Sequence, residues 1–412
     1  MPRLISLFLA WLIWLGIEAS PGWVPERPEP AGLVGVLGVA WLIALRWGLP
    51  RPRRPWEAGP ILFVAGPLLL HAAFLGAFGG IRLWQDLELP AAISSCIGVL
   101  PYLVIQHGFR YGEAGLLGLD GPAAAAFAQR HSLGLLLGVL PVAVVAQVWA
   151  WGAAGLPEDP ALWTTADAIR ARLVELGGAA LALPLTLLLL PRLLGAGEED
   201  RALGRLVAAD WRGRGPAPRV LRWDTQGVTA NALAAGFGPF RRILISDGLR
   251  ALLTDQELRA VLGHELAHLE RRHAPALVAG AAGGVLLAGA AVLRWAPAGP
   301  EGPHPAWALL VLAAAAPPLL VAGRAFETQA DLDAAARGEL QAAGLATALS
   351  RLGSLRRRRS WRHPTPAARV ARIRACRLDP ERAERFHRRA EWIRKGLWAL
   401  FLTGLAGVLV GT

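Results

Sequence analysis

The sequence DQELRAVLGHELAHLERR, residues 255–272, sets the structure of the region around it. Its leucines and valine recur at intervals of three and four residues, which predicts an amphipathic α-helix. Thr254 precedes the stretch and Glu257 follows three residues later, the pattern of a capping box at a helix start. We therefore predict a helix that begins near residue 255 and continues through HELAH.

The HELAH sequence predicts a metal site. His264 and His268 lie four residues apart, so a helix places both imidazoles on one face, where they can bind one zinc ion per chain. Glu265 lies beside them and can act as a general base on the attacking water. A catalytic zinc needs a third protein ligand, and Glu327 in the sequence FETQAD is the candidate. Asp331 follows Glu327 by one helical turn and can fix the tautomer of a ligand histidine.

The composition predicts a membrane protein. Of the 412 residues, 54% are hydrophobic and 18% are charged, whereas soluble domains carry about 25% charged residues. A spanning helix needs about 20 mainly apolar residues, and about nine runs come near that length. Buried core helices are the alternative, but so many runs in one chain favour spans. The predicted spans lie at about 4–17, 31–45, 61–81, 91–106, 132–152, 176–190, 274–293, 305–323 and 396–412.

Loop charges predict the orientation of these spans. The positive excess alternates from loop to loop, as the positive-inside rule expects, and puts the polar segments on the cytoplasmic side. Glu18 lies near a would-be cleavage site, which favours a retained first span over a signal peptide. The predicted organisation is an N-terminal membrane domain at 1–191, the first part of a peptidase domain at 192–273, an apolar hairpin at 274–323, its second part at 324–395, and a C-terminal span at 396–412.

Four blocks of the sequence, between about residues 200 and 375, resemble a known family in order. This family is the HtpX-like and CaaX prenyl protease family of integral-membrane zinc metallopeptidases, which are HExxH gluzincins. The first six predicted spans match no motif of this family. The resemblance implies a polytopic α-helical membrane protein of about nine spans, with a mainly helical α+β zincin-type metallopeptidase domain split by a transmembrane hairpin. The blocks are Asn231-Ala232-Leu233-Ala234-Ala235-Gly236, Glu257-Leu258 leading to HELAH with Arg272-His273 after it, Glu327-x-x-Ala330-Asp331, and His363-Pro364-Thr365-Pro366-Ala367-Ala368-Arg369.

The resemblance also implies roles for residues outside the HELAH helix. The block that contains Asn231, Ala232 and Gly236 would precede an edge strand that pairs with the substrate backbone. His363 and Arg369 would face the scissile carbonyl and stabilise its developing oxyanion.

The function expected from these features is that of a zinc-dependent membrane endopeptidase. It would cleave membrane or membrane-associated polypeptides at the cytoplasmic face of a bacterial inner membrane. Two alternatives stay open: a membrane sensor-protease of the antibiotic-response type, and a non-catalytic membrane scaffold that retains the protease fold. A transporter is disfavoured because the charged motifs lie outside the apolar runs. A nucleic-acid binder would need basic residues interleaved with stacking aromatics, which the sequence lacks.

The basic charge is concentrated near the C-terminus. Residues 351–395 contain 16 basic and 4 acidic residues, so their charge equals the formal net charge of +12 for the whole chain. Anionic lipid headgroups are the expected partner of this segment. His273 follows the motif helix, five residues past His268 and off its metal-facing stripe, and we predict an interfacial residue rather than a ligand.

Overall fold

The computed structural model describes most of the second half of the chain and parts of the first. The chain divides into two compact units, Met1–Gly195 and Ala196–Thr412. In the first unit, the described elements are helix α1 at Leu100–Leu116 and a π-helical turn at Ala73–Ala77. The described ranges are 69–77, 100–116 and shorter stretches before residue 192, and then 194–225, 227, 229–295, 306–355 and 364–410.

Four short strands form the sheet of the second unit: β1 at Ala196–Glu199, β2 at Arg219–Trp223, β3 at Ala232–Ala235 and β4 at Arg242–Ser246. Their order across the sheet is β1-β2-β4-β3. The central strand β4 runs parallel to β2 and antiparallel to β3, and β1 runs antiparallel to β2. β3 is therefore an edge strand, with one side open to other groups.

The described residues of the second unit also form eight α-helices. They are α2 at Arg201–Asp210, α3 at Asp247–Leu252, α4 at Asp255–Glu270, α5 at His273–Trp295, α6 at Ala306–Ala335, α7 at Glu339–Leu355, α8 at Pro366–Leu378 and α9 at Pro380–Val410. Of these, α2, α3 and α4 contact the sheet.

Helix α4 is the predicted HELAH helix, and it begins at residue 255 behind the predicted capping box. Its apolar face packs into one core with the sheet. Leu258, Leu262 and Leu266 are almost fully buried in a cluster that also contains Ile243 of β4. Burying one such leucine contributes about 1.5–3 kcal/mol. The core therefore holds the HELAH helix firmly against the sheet.

Helices α5, α6 and α9 pack against one another through small residues. A Cβ atom added at Gly283 of α5 would lie 2.5 Å from the backbone nitrogen of Phe401 in α9, and one at Gly280 would lie 2.4 Å from Leu397 Cδ2. Only glycine allows two helix backbones to approach so closely. On α6, Phe326 and Ala322 are buried in the same cluster.

The prediction of about nine membrane spans is wrong. Among the residues that the structure describes, no helix has the length and apolar character needed to cross a membrane. Most of the first six predicted spans lies outside the described residues. The last three apolar runs fall in α5, α6 and α9. Apolar runs rich in alanine, glycine and leucine also serve close helix packing, and run length alone does not separate these two uses.

Candidate metal centre

Two imidazoles of α4 meet at one point. The helix start is fixed by the capping box, in which the Thr254 hydroxyl accepts from the backbone N–H of Glu257 and the Glu257 carboxylate accepts from that of Thr254. Further along the same helix, the Nε2 atoms of His264 and His268 lie 3.1 Å apart. The HELAH sequence thus presents two nitrogen donors to a single position.

Glu327 completes the group from a different helix. One of its carboxylate oxygens lies 3.7 Å from Nε2 of His264, and the other lies 3.7 Å from Nε2 of His268. One ligand atom from each of the three residues lies within 4.8 Å of the others. Bonds of about 2.0–2.2 Å to a tetrahedral zinc place ligand atoms about 3.4 Å apart. The predicted ligands therefore form a possible metal site of suitable size.

The outer nitrogens of the two histidines explain why a cation suits this position. Nδ1 of His264 lies 3.0 Å from Oδ1 of Asp331, and Nδ1 of His268 lies 2.9 Å from Nδ1 of His273. A neutral imidazole with its proton on Nδ1 keeps a lone pair on Nε2. Two such lone pairs then face each other and the carboxylate of Glu327. These groups repel unless a proton or a metal cation lies among them, so the residues fit a metal ion.

Asp331 lies between His264 and Arg369. It therefore contacts one of the two histidines whose tautomer it was predicted to fix. Arg369 donates to it twice, from Nε to Oδ2 at 2.8 Å and from Nη2 to Oδ1 at 2.6 Å. Burial raises the pKa of Asp331, but the charge and hydrogen bonds of Arg369 outweigh it, and the pKa is lowered overall. Arg369 also lies 3.7 Å from Glu327. Its predicted role at the oxyanion stays a prediction, and so does that of His363, which lies outside the described residues.

His273 was missed as a member of the site. His273 is buried rather than interfacial, since only 1% of it is exposed, and it is not one of the three residues that could hold the metal. Arg272, with φ of 56°, adopts a left-handed conformation that ends α4 and starts α5 at His273. The five-residue spacing from His268 places His273 off the metal-facing stripe only in an uninterrupted helix. A non-glycine residue rarely adopts this conformation, so no sequence signal marked the break.

Glu265 lies between the histidines and the edge strand β3. Its Oε2 accepts the backbone N–H of Ala234 at 2.7 Å. Burial raises the pKa of the Glu265 carboxyl, and the nearby positive charge of His264 only partly offsets this effect. A carboxylate of raised pKa takes up a proton more readily, which suits a general base.

The predicted substrate-binding block does not precede the edge strand but forms it, because β3 runs from Ala232 to Ala235. Asn231 precedes the strand; its N–H donates to Ser246 Oγ at 2.9 Å, and its carbonyl accepts from the Ser246 N–H at 3.0 Å. Ala232 is the first residue of β3. Gly236 follows the strand with φ of 81°, and a Cβ there would lie 2.1 Å from the carbonyl oxygen of Phe240. Glycine is required at this turn.

Comparison with known proteins gives two matches. Residues 210–377 match the model of peptidase family M48. A protein described as "Protease HtpX homolog" from Methanocaldococcus jannaschii is 32% identical over 83 residues, which is 19% of this chain. The match spans only 28% of the length of that relative. The family match covers the complete histidine and glutamate group and also Asp331 and Arg369.

Proposed function

We propose that this chain, whose residues 210–377 match the model of peptidase family M48, is a zinc-dependent endopeptidase. The HtpX-like resemblance recognised from the four sequence blocks is confirmed by the family match and by the relative. The observation that carries the proposal is the convergence of His264, His268 and Glu327 on one point. When bound, zinc would supply a Lewis acid that polarises the peptide carbonyl and lowers the pKa of water.

Glu265 is the base of the proposed reaction. It is buried beside the ligand group, and its carboxylate takes the proton of the attacking water. The same carboxyl then gives a proton to the leaving amine, so that one residue serves as base and as acid. Arg369 and Asp331 keep the imidazole of His264 oriented during these transfers, because their ion pair is buried and bidentate.

The position of the edge strand β3 favours a polypeptide as the substrate. The Ala234 N–H donates to Glu265 instead of to β4, so it lies on the open side of the strand. An extended peptide that adds to this side would pass next to the base and the metal ligands, which is recognition by β-augmentation. In this proposal, Asn231 and Gly236 shape the ends of the strand, and Ala232 presents backbone groups to the substrate.

A zinc and cleavage assay tests the proposal. We expect one zinc per purified wild-type chain and cleavage of an unfolded polypeptide. Glu265→Gln should retain zinc and lose about 10²–10⁴-fold in cleavage rate, whereas His268→Ala should lose zinc as well. Asp255→Asn, an exposed carboxylate in the first turn of the same helix, is the matched control. Zinc-free wild type, or full activity in Glu265→Gln, would defeat the proposal; zinc without wild-type cleavage would favour the scaffold.

We also propose that anionic lipid headgroups bind one face of α9. Trp392 is 72% exposed, and the Lys395 ammonium lies 5.5 Å from the centre of its ring. Arg388 and Arg389 are exposed one turn earlier, and Leu402 is exposed further along. Tryptophan beside basic residues is typical of membrane–water interfaces. The substrates would then be membrane or membrane-associated polypeptides; the cytoplasmic side and a bacterial inner membrane stay predictions.

Vesicle sedimentation tests the lipid proposal. The full chain should bind phosphatidylglycerol vesicles more strongly than phosphatidylcholine vesicles, and Lys395→Ala and Trp392→Ala should each weaken that binding. Leu378→Ala, an exposed apolar position on α8, controls for general loss of surface hydrophobicity. Equal binding to both vesicle types, or binding unchanged in both variants, would contradict the proposal.

A further inference from the structure

We propose that His273 is a positioning residue for the zinc ligand His268 and that it acts through a neutral hydrogen-bonded chain anchored at Gln329. The proposal rests on the zinc site proposed above and extends it. The sequence predicted no role at the metal site for His273 or Gln329.

The chain consists of two short contacts among side chains that are buried or, for His268, 18% exposed. Nδ1 of His273 lies 2.9 Å from Nδ1 of His268, and Nε2 of His273 lies 2.9 Å from Oε1 of Gln329. Gln329, like His273, is only 1% exposed. Water is therefore largely excluded from both contacts, and each ring nitrogen depends on its protein partner.

The chemistry of the amide sets the direction of the chain. The amide oxygen of Gln329 only accepts, so Nε2 of His273 must donate. In the neutral ring, Nδ1 of His273 is then an acceptor, and Nδ1 of His268 donates to it. His268 consequently keeps its lone pair on Nε2, the atom that lies 3.1 Å from Nε2 of His264. The chain thus selects the one tautomer of His268 that can bind a metal.

The His273 ring is also held in place by its surroundings. It stacks on Phe326 with the ring centres 4.3 Å apart and the planes 3° from parallel. Phe326 and Gln329 both belong to α6, the helix that carries the third ligand, Glu327. His273 therefore links the orientation of His268 on α4 to the helix that supplies the opposite side of the site.

Zinc affinity tests this role. We expect His273→Phe, which keeps a ring on Phe326 but has no nitrogen, to weaken zinc binding about tenfold in a chelator competition. His273→Asn places an amide oxygen near the position of Nδ1 and should restore most of the affinity. The absorption bands of the cobalt-substituted protein should change in His273→Phe and return in His273→Asn. A merely structural role would alter the melting temperature of the metal-free protein without this pattern.

A second variant and a direct measurement cover the case in which His273→Phe does not fold. Gln329→Met removes the acceptor at the other end and should weaken zinc binding in the same direction. In ¹⁵N NMR spectra of the zinc-loaded wild type, His273 should carry its proton on Nε2 and His268 on Nδ1. A proton on Nδ1 of His273, or zinc affinity within twofold of wild type in the folded variants, would overturn the inference. Wild type that binds no zinc would instead defeat the proposed function.

Discussion

The two histidines of the candidate site are supported in opposite ways. His264 contacts the carboxylate of Asp331, which is itself held by the guanidinium of Arg369. His268 contacts the neutral imidazole of His273. The first support is a buried ion pair and the second is a directional chain of neutral groups. The two histidines, one helix turn apart, are thus oriented by different kinds of partner.

The two supports also differ in their effect on proton affinity. Burial lowers the pKa of His264, but the hydrogen bond and charge of Asp331 outweigh it and the pKa is raised. Burial and the charge of His264 lower the pKa of His268 to about 4. A carboxylate partner thus makes an imidazole more basic, whereas a neutral partner orients it without that effect. We call these two arrangements the charged support and the neutral support.

The largest effect is expected from Asp331→Ala, which removes the centre of the charged support. The variant leaves Arg369 buried without its carboxylate, and such a loss costs about 3–5 kcal/mol. Urea unfolding of the metal-free protein measures it. Asp333→Ala on the same helix breaks a pair with the more exposed Arg271 and should cost about 1 kcal/mol or less. Similar losses of unfolding free energy in both variants would show that the charged support contributes no more to stability than the Asp333–Arg271 pair.

A double-mutant cycle sharpens the same comparison. Arg369→Met leaves the Asp331 carboxylate buried without its strongest partner, so it should be strongly destabilising by itself. Combined with Asp331→Asn, it should cost less than the sum of the two single changes, with a coupling of about 2 kcal/mol. Unfolding free energies of the four proteins give the coupling. Additive losses would mean that the two side chains act independently.

The neutral support depends on the turn at Arg272, and the expected effect there is smaller. Arg272→Gly should stabilise the protein by about 1 kcal/mol relative to Arg272→Ala, because only glycine adopts a positive φ without strain. The alanine variant removes the same side chain and is the matched control. Thermal unfolding measures the difference. Equal stability of the two variants would indicate that the turn relaxes and that His273 is less firmly placed.

The smallest effect is expected at the far end of the neutral support. Nε2 of Gln329 lies 3.4 Å from Nδ1 of His387 on α9, a longer contact than the two inner ones. His387→Ala should therefore change stability by about 0.5 kcal/mol or less, with zinc affinity within twofold of wild type. Chelator competition beside His273→Phe measures it. A tenfold loss of affinity would extend the neutral support outward to α9.

The local parts of the site were predictable from the sequence. The capping box at Thr254 and the spacing of His264 and His268 depend on contacts within one helix, and helical periodicity describes such contacts well. Glu327 and Asp331 were also found by helical spacing, since both lie on one helix one turn apart. Spacing within one helix does not show that these two residues approach α4. That approach was inferred from the resemblance to the family.

The other parts depend on contacts that spacing does not encode. The position of His273 follows from the left-handed backbone conformation of Arg272. Arginine rarely adopts this conformation, so its presence in the sequence does not predict a turn. The apolar runs of α5, α6 and α9 were predicted as spans because hydrophobicity indicates that a helix is shielded from water. It does not distinguish lipid from other helices as the shielding group. The pairing of Arg369 with Asp331 joins residues from separate helices, and no periodicity links them.

The hydrogen bond between Ala234 and Glu265 has a kinetic consequence. Ala234 has a single N–H group, so it cannot bond fully to Glu265 and to a substrate carbonyl at the same time. A peptide that pairs with β3 at this position competes with Glu265 for that proton. In the proposed reaction, this competition would release a carboxylate lone pair when a water molecule must be deprotonated. Binding of a peptide to the edge strand would then free the Glu265 oxygen that Ala234 holds while the strand is empty.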